Sequence, residues 1–103
     1  MIVVTLEQIP GKDFEVLGIV EGSTVHSKNI GKDIGASLKT IIGGEIKSYT
    51  EMMNEARAIA TDRMVEEARA LGADGVLGVR YGSASVMQGA AELIVYGTAV
   101  RFL

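Results

Sequence analysis

The sequence predicts an α+β fold within a single domain spanning residues 1–103. It reads as a mostly antiparallel sheet with one short and one long helix against one face, roughly in the order β-β-α-α-β-β. Three observations predict it. A stretch from Tyr49 to Leu71 keeps one apolar stripe at helical period. That stretch stops on Gly72, and a glycine-studded apolar strand starts within three residues. The segments on either side are rich in β-branched residues and are broken by turn residues.

Ile2-Val3-Val4-Thr5 is short and β-rich, and Ile9-Pro10-Gly11-Lys12-Asp13 reads as a turn in which Pro presets φ and Gly takes positive φ. Phe14–Val25 reads as a long strand interrupted by Gly18 and Gly22, which mark a bulge, a bend or a close backbone approach. Ile30, Ile34, Leu38 and Ile41 share one face of a predicted first helix, with Asn29 as N-cap and Gly43-Gly44 after it. Ser48 and Glu51 have the spacing of a capping box for the second helix. Its stripe is Met53, Ala56, Ala60, Met64, Ala68 and Leu71, broadened by Ile59 and Val65. Gly72 is the expected left-handed residue that ends it.

Two strands follow, Gly75–Val86 and Glu92–Leu103, joined through Met87–Ala91 as a hairpin. In the last strand Leu93, Val95 and Ala99 point one way, and Ile94, Tyr96, Val100 and Phe102 the other. Both faces are apolar, so both are expected to be covered. The long helix covers one, and the other calls for a layer this chain barely supplies. Tyr81-Gly82 and Tyr96-Gly97 echo one another, and a hairpin would bring their glycines near each other.

Composition narrows the function classes. Apolar residues make up 48% of the chain and aromatics 5%, at a net charge of -3 and a mean hydropathy of +0.27. A small domain this aliphatic packs efficiently or hides surface against a partner. The charges are dispersed, without the basic stripe that phosphate neutralisation needs, which argues against nucleic acid. No apolar run approaches the roughly 20 residues of a membrane span, and the N-terminus lacks the basic region of a signal peptide. With no Cys there is neither a disulfide framework nor a thiolate site. The expectation is a cytoplasmic protein with no nucleic-acid or membrane partner.

Several blocks occur together in one order. They are Lys32-Asp33-Ile34, Ile42-Gly43-Gly44-Glu45-Ile46-Lys47-Ser48-Tyr49-Thr50, Glu55-Ala56-Arg57, and Glu67-Ala68-Arg69-Ala70-Leu71-Gly72-Ala73-Asp74-Gly75-Val76-Leu77-Gly78-Val79-Arg80. Val86-Met87-Gln88-Gly89-Ala90-Ala91-Glu92 and Tyr96-Gly97-Thr98-Ala99-Val100 complete the set. Over nearly its whole length the chain resembles the YbjQ-like family, a family with no assigned activity that carries a heavy-metal-binding label. The resemblance implies a compact α+β subunit related in shape to dodecin-like folds and assembled into a ring, a homopentamer. It brings no agreed site residues and no known cofactor.

The candidate chemistry is sparse. His26 is the sole histidine, in the polar stretch Thr24–Asn29, and reads as a surface residue. Met53 and Met64 fit the core stripe better than a soft-metal site, and Met52 lies off it. Gly72–Gly78 runs from helix to strand, the reverse of a phosphate cradle. Glu45 lies just before the second helix, and Glu51 and Glu55 fall one turn apart on it beside Arg57. Together they offer paired carboxylates for acid–base work or a solvated acidic first turn. Arg80 and Arg101 fall inside apolar strands and either pair with Glu21 or Glu92 across a subunit boundary, the preferred reading, or point outward at an edge. No catalytic residue and no metal ligand set is assigned; Glu51, Glu55, Arg57 and Arg80 are the interfacial polar candidates. The reading is a non-enzymatic ring-forming protein that takes an ion or small ligand between its subunits. The alternative is an enzyme whose site is completed across that boundary. A flavin binder ranks last, since the chain has no Trp and three Tyr to sandwich the ring.

Overall fold

A computed structural model gives the fold. It describes the backbone of residues 1–27, 45–87 and 90–103, and side chains of residues 1–25, 50–84 and 92–103. The elements are β1 (Ile2–Val3), β2 (Phe14–Ser27), α1 (Glu45–Ala70), β3 (Gly75–Met87) and β4 (Ala90–Phe102). The helix predicted over 30–42 lies outside the described residues. The strands form one sheet in the order β1-β3-β4-β2. β4 runs antiparallel to both β2 and β3, and β1 is parallel to β3, so the sheet is mixed.

Local sequence chemistry explains the bends. Lys12 N–H donates to the Ile9 carbonyl at 3.1 Å, and Gly11 has a φ of 77°, closing the Pro-Gly turn. Gly18 has a φ of 135° where the β2–β4 register slips between Val16 and Gly18. That is a β-bulge, carried by the residue that tolerates it. The glycines of the two Tyr-Gly pairs do not meet. Gly82 stands opposite Ile94, while a methyl on Gly97 would come within 2.6 Å of Val76 Cγ1.

α1 starts at Glu45, four residues before the expected Tyr49, which puts Ser48 inside the helix rather than at its cap. Glu45, Ile46 and Lys47 are tolerated in helices, and a capping-box spacing does not by itself stop a helix from running further back. The other end follows the prediction. Ala73 N–H donates to the Ala68 carbonyl at 3.0 Å and Gly72 N–H to Arg69 at 2.9 Å, with Gly72 at a φ of 79°. This is a Schellman motif. Asp74 then ties three strands together. Its N–H donates to the Val100 carbonyl at 2.9 Å, and its carboxylate accepts the Phe102 N–H at 3.0 Å. Its carbonyl accepts the Ile2 N–H at 3.3 Å.

The core lies between α1 and the sheet. Val20, Ala60, Met64, Ala68, Val76, Val79, Val95 and Ala99 form one buried cluster. The helix meets the sheet along Ala56, Ala60, Met64 and Ala68, all buried. The contact stripe is narrower than predicted: Ile59 is 39% exposed and Leu71, one residue past the helix, 47%. Small residues bring the helix backbone down onto β2. A methyl built on Gly22 lands inside the Ala60 carbonyl oxygen and the Met64 amide nitrogen. Nearby, the buried Thr24 donates its hydroxyl to the Ala56 carbonyl at 3.4 Å, so the polar atom has a partner.

The opposite face is only partly covered. Leu77 and Val100 are buried there, at 2% and 0% exposure. Both neighbour residues of the helix-side cluster, Val76 and Ala99, and strand alternation sends them the other way. The chain from Val4 to Asp13 passes from the β1 edge to the β2 edge at this end. On that route Lys12 Nζ sits 4.7 Å from the centre of the Phe102 ring. Beside Val100 and in the row of Leu77, Val16 and Ile19 of β2 are 64% and 78% exposed, and further along the face Tyr96 and Val25 are 44% and 53% exposed. Among the described residues the helix covers one face, while Val16, Ile19, Val25 and Tyr96 leave much of the other exposed.

Three glycine variants test this packing. Gly22→Ala lowers unfolding free energy by about 2–3 kcal/mol in urea titration, because the methyl meets helix backbone that cannot turn aside. Gly82→Ala, whose methyl would sit an ordinary 3.6 Å from Ile94 Cγ2, stays near wild type. Gly72→Ala costs about 1 kcal/mol in the same titration through its left-handed φ.

Candidate functional site

The four interfacial candidates divide between two elements. Glu51 and Glu55 are exposed on the first half of α1, one turn apart as their spacing requires. Arg57 is half-buried on the same helix, and its guanidinium donates to Asn54 Oδ1. Its carbonyl accepts the Thr61 hydroxyl at 2.7 Å, and Thr61 Oγ1 lies 2.9 Å from the Tyr81 hydroxyl. This chain of bonds ties the helix to the helix-side face of β3.

Arg80 is the next residue on β3 and therefore points to the other side. Its Nη1 donates to the Thr5 carbonyl at 3.2 Å and to its neighbour Val79 at 2.9 Å. The sheet thus separates Arg80 from Glu51, Glu55 and Arg57, and within one copy the four do not converge on a common cleft. Arg101 also departs from expectation. It pairs with Glu15 of β2, its cross-strand partner, rather than with Glu21 or Glu92. Directly opposed residues on antiparallel strands are the nearest charges available, and this register puts Glu15 there. The pair is exposed, so it contributes little to stability.

What Arg80 does share is a face and a row. In register it stands beside Tyr96, and Tyr96 beside Glu21. Alternation puts all three on the open face, together with Ile19, Val25 and Ile94. The role of Asp74 as a clamp between strands went unread. Its signal was a short acceptor side chain directly after the helix-stopping glycine, where free strand N–H groups arrive.

The heavy-metal label can be weighed against the donors. Soft and borderline metals take about four ligands from thiolate, imidazole or thioether groups. The chain has no Cys and one His. Met64 is fully buried in the core. Among the described residues no three His, Cys, Asp or Glu side chains gather closely enough to hold a metal ion. A heavy-metal centre does not fit the described residues of a single copy.

Comparison with known proteins agrees with the whole-length resemblance. The chain is 60% identical to a UPF0145 protein of Clostridium novyi over 103 residues, covering all of both chains. It is 63% identical to a UPF0145 protein of Thermus thermophilus over 102 residues, covering 98% of this chain and 90% of that one. Among solved structures it matches a protein of unknown function from Pediococcus pentosaceus, described as belonging to the DUF74 family. The TM-score is 0.67 at 17% identity, over 100% of this chain and 98% of that one. That likeness shows a shared fold. Among the described residues no helix is long and apolar enough to cross a membrane. A family profile described as "Putative heavy-metal-binding" matches residues 1–103, and with these relatives it means that the chain belongs to the UPF0145, or YbjQ-like, family.

Proposed function

We propose that this protein is a non-enzymatic, ring-forming homo-oligomer, a pentamer, that holds a small ligand or ion in the space between its subunits. The observation that carries the reading is the open sheet face. Val16, Ile19, Val25 and Tyr96 lie 44–78% exposed on one side of the sheet. Large apolar side chains left exposed together on one face of so small a domain mark an interaction surface. The subunit is also drawn out. Its radius of gyration is 16.8 Å and its extents are 53 × 26 × 18 Å. A compact domain of this length has a radius of about 13 Å. An elongated subunit with a bare sheet face leaves much surface for neighbours. The family membership supports a ring, since a closed ring satisfies head-to-tail contacts without growing into a filament.

A site between subunits also accounts for the polar candidates. Glu51, Glu55, Arg57 and Arg80 do not meet within one copy, so joint action requires a second. The carboxylates Glu51 and Glu55 are solvent-exposed, without the contrast in surroundings that acid–base catalysis draws on. This favours binding over catalysis.

Native mass spectrometry of the untagged protein, with light scattering at micromolar concentration, tests the reading. The expected result is a pentamer of 10.9 kDa subunits, or a whole multiple of it, with any retained ligand adding mass in a fixed ratio. A folded monomer at that concentration overturns it.

A further inference from the structure

The open face has a polar frame as well as an apolar centre. β4 runs down its middle with Ile94 and Tyr96, and β2 adds Ile19 and Val25. On either side of Tyr96, in one row across the sheet, stand Arg80 of β3 and Glu21 of β2. The row reads cation, aromatic ring, carboxylate. Neighbouring strands are spaced about 4.8 Å apart, so the two charges flank Tyr96 at nearly equal distances. Arg80 is anchored at its margin by the Thr5 and Val79 carbonyls.

This pattern is complementary to itself. A second copy turned by a two-fold axis lying along β4, between the two sheets, lays Tyr96 against Tyr96. The same rotation carries each Arg80 over the other copy's Glu21. A two-fold contact requires just this reciprocity, and an apolar centre with a charged rim is the usual anatomy of an interface. The edge of the sheet is less suited. Arg63 of α1 already donates to the Ser23 carbonyl on β2, the outermost strand, and an added strand would have to displace it. The two Glu92 side chains, on the axis but nearer the hairpin tip, move apart because packed sheets cross at about 30°.

We infer that the exposed sheet face opposite α1 docks on the same face of a second copy of this chain, with Tyr96 at the centre and two Arg80–Glu21 ion pairs at the rim. The inference rests on the ring proposed above and gives the open face to a contact between rings, leaving the contacts within a ring to the remaining surface of the elongated subunit. Three strands over about ten residues offer roughly 450 Å² per copy, near the lower bound of a specific interface. One such contact is weak. Five in parallel hold two rings together by avidity.

The test is charge exchange on the full-length protein, read by sedimentation velocity and native mass spectrometry at low salt. Wild type runs as a decamer. Arg80→Glu and Glu21→Arg each run as pentamers, with the ring–ring dissociation constant raised roughly tenfold or more. The Arg80→Glu/Glu21→Arg double variant regains the decamer. Circular dichroism on each variant checks the fold; Arg80→Gln and Glu21→Gln replace any variant that fails to fold, with a smaller shift expected. A wild-type pentamer, or single reversals that leave the decamer intact, overturns the inference and leaves the ring standing. A monomeric wild type overturns the ring itself.

Discussion

The structure depends on how closely α1 lies on β2. At Gly22 the strand has no side chain, and at Ala56, Ala60 and Ala68 the helix presents little more than backbone. The two elements therefore meet almost main chain to main chain. This proximity lets Thr24 reach a helix carbonyl, and it seats Met64 in one buried cluster with Val20, Val76 and Val95. Interiors packed to this density are intolerant of an extra methylene. With 5% aromatic residues, the chain cannot fill a wide gap between layers. A narrow gap filled by Ala, Val and one Met is the solution open to it.

The tight gap also settles which side of the sheet is finished. A helix of 26 residues, about 39 Å long, covers the face it touches along most of the sheet. On the other face Leu77 and Val100 are buried, beside the exposed Val16 and Ile19 of β2. The remainder of that face keeps its β-branched residues in solvent.

Much of the fold could be read from the residues. Pro10-Gly11, the bulge at Gly18, the close approach at Gly22 and the stop at Gly72 all declared themselves, because glycine and proline act through the local backbone. The apolar alternation in β4 also gave the two faces correctly. What escaped depended on register and depth. Helical period cannot say that Ile59 and Leu71 sit at the edge of the stripe rather than in it. Nor can it say that the helix begins at Glu45. Arg101 was matched to the wrong carboxylate because cross-strand pairing with Glu15 emerges only once the bulge has shifted β2 against β4. The candidate site was legible only as a set of residue types. That Arg80 and the helix carboxylates lie on opposite sides of the sheet follows from three-dimensional assembly, and no spacing in the chain encodes it.

The strand β1 carries a consequence for how the molecule opens. It is two residues long and joins the sheet beside β3, more than seventy residues away in sequence. Its hold is a few backbone bonds from Ile2, Val4 and Leu6 to Asp74, Val76, Gly78 and Val79. Closing so long a loop for so few bonds makes this the weakest seam in the sheet. In amide exchange, the protons of Val4, Gly78 and Val79 become accessible well before those between β2 and β4, through release of the N-terminal segment alone.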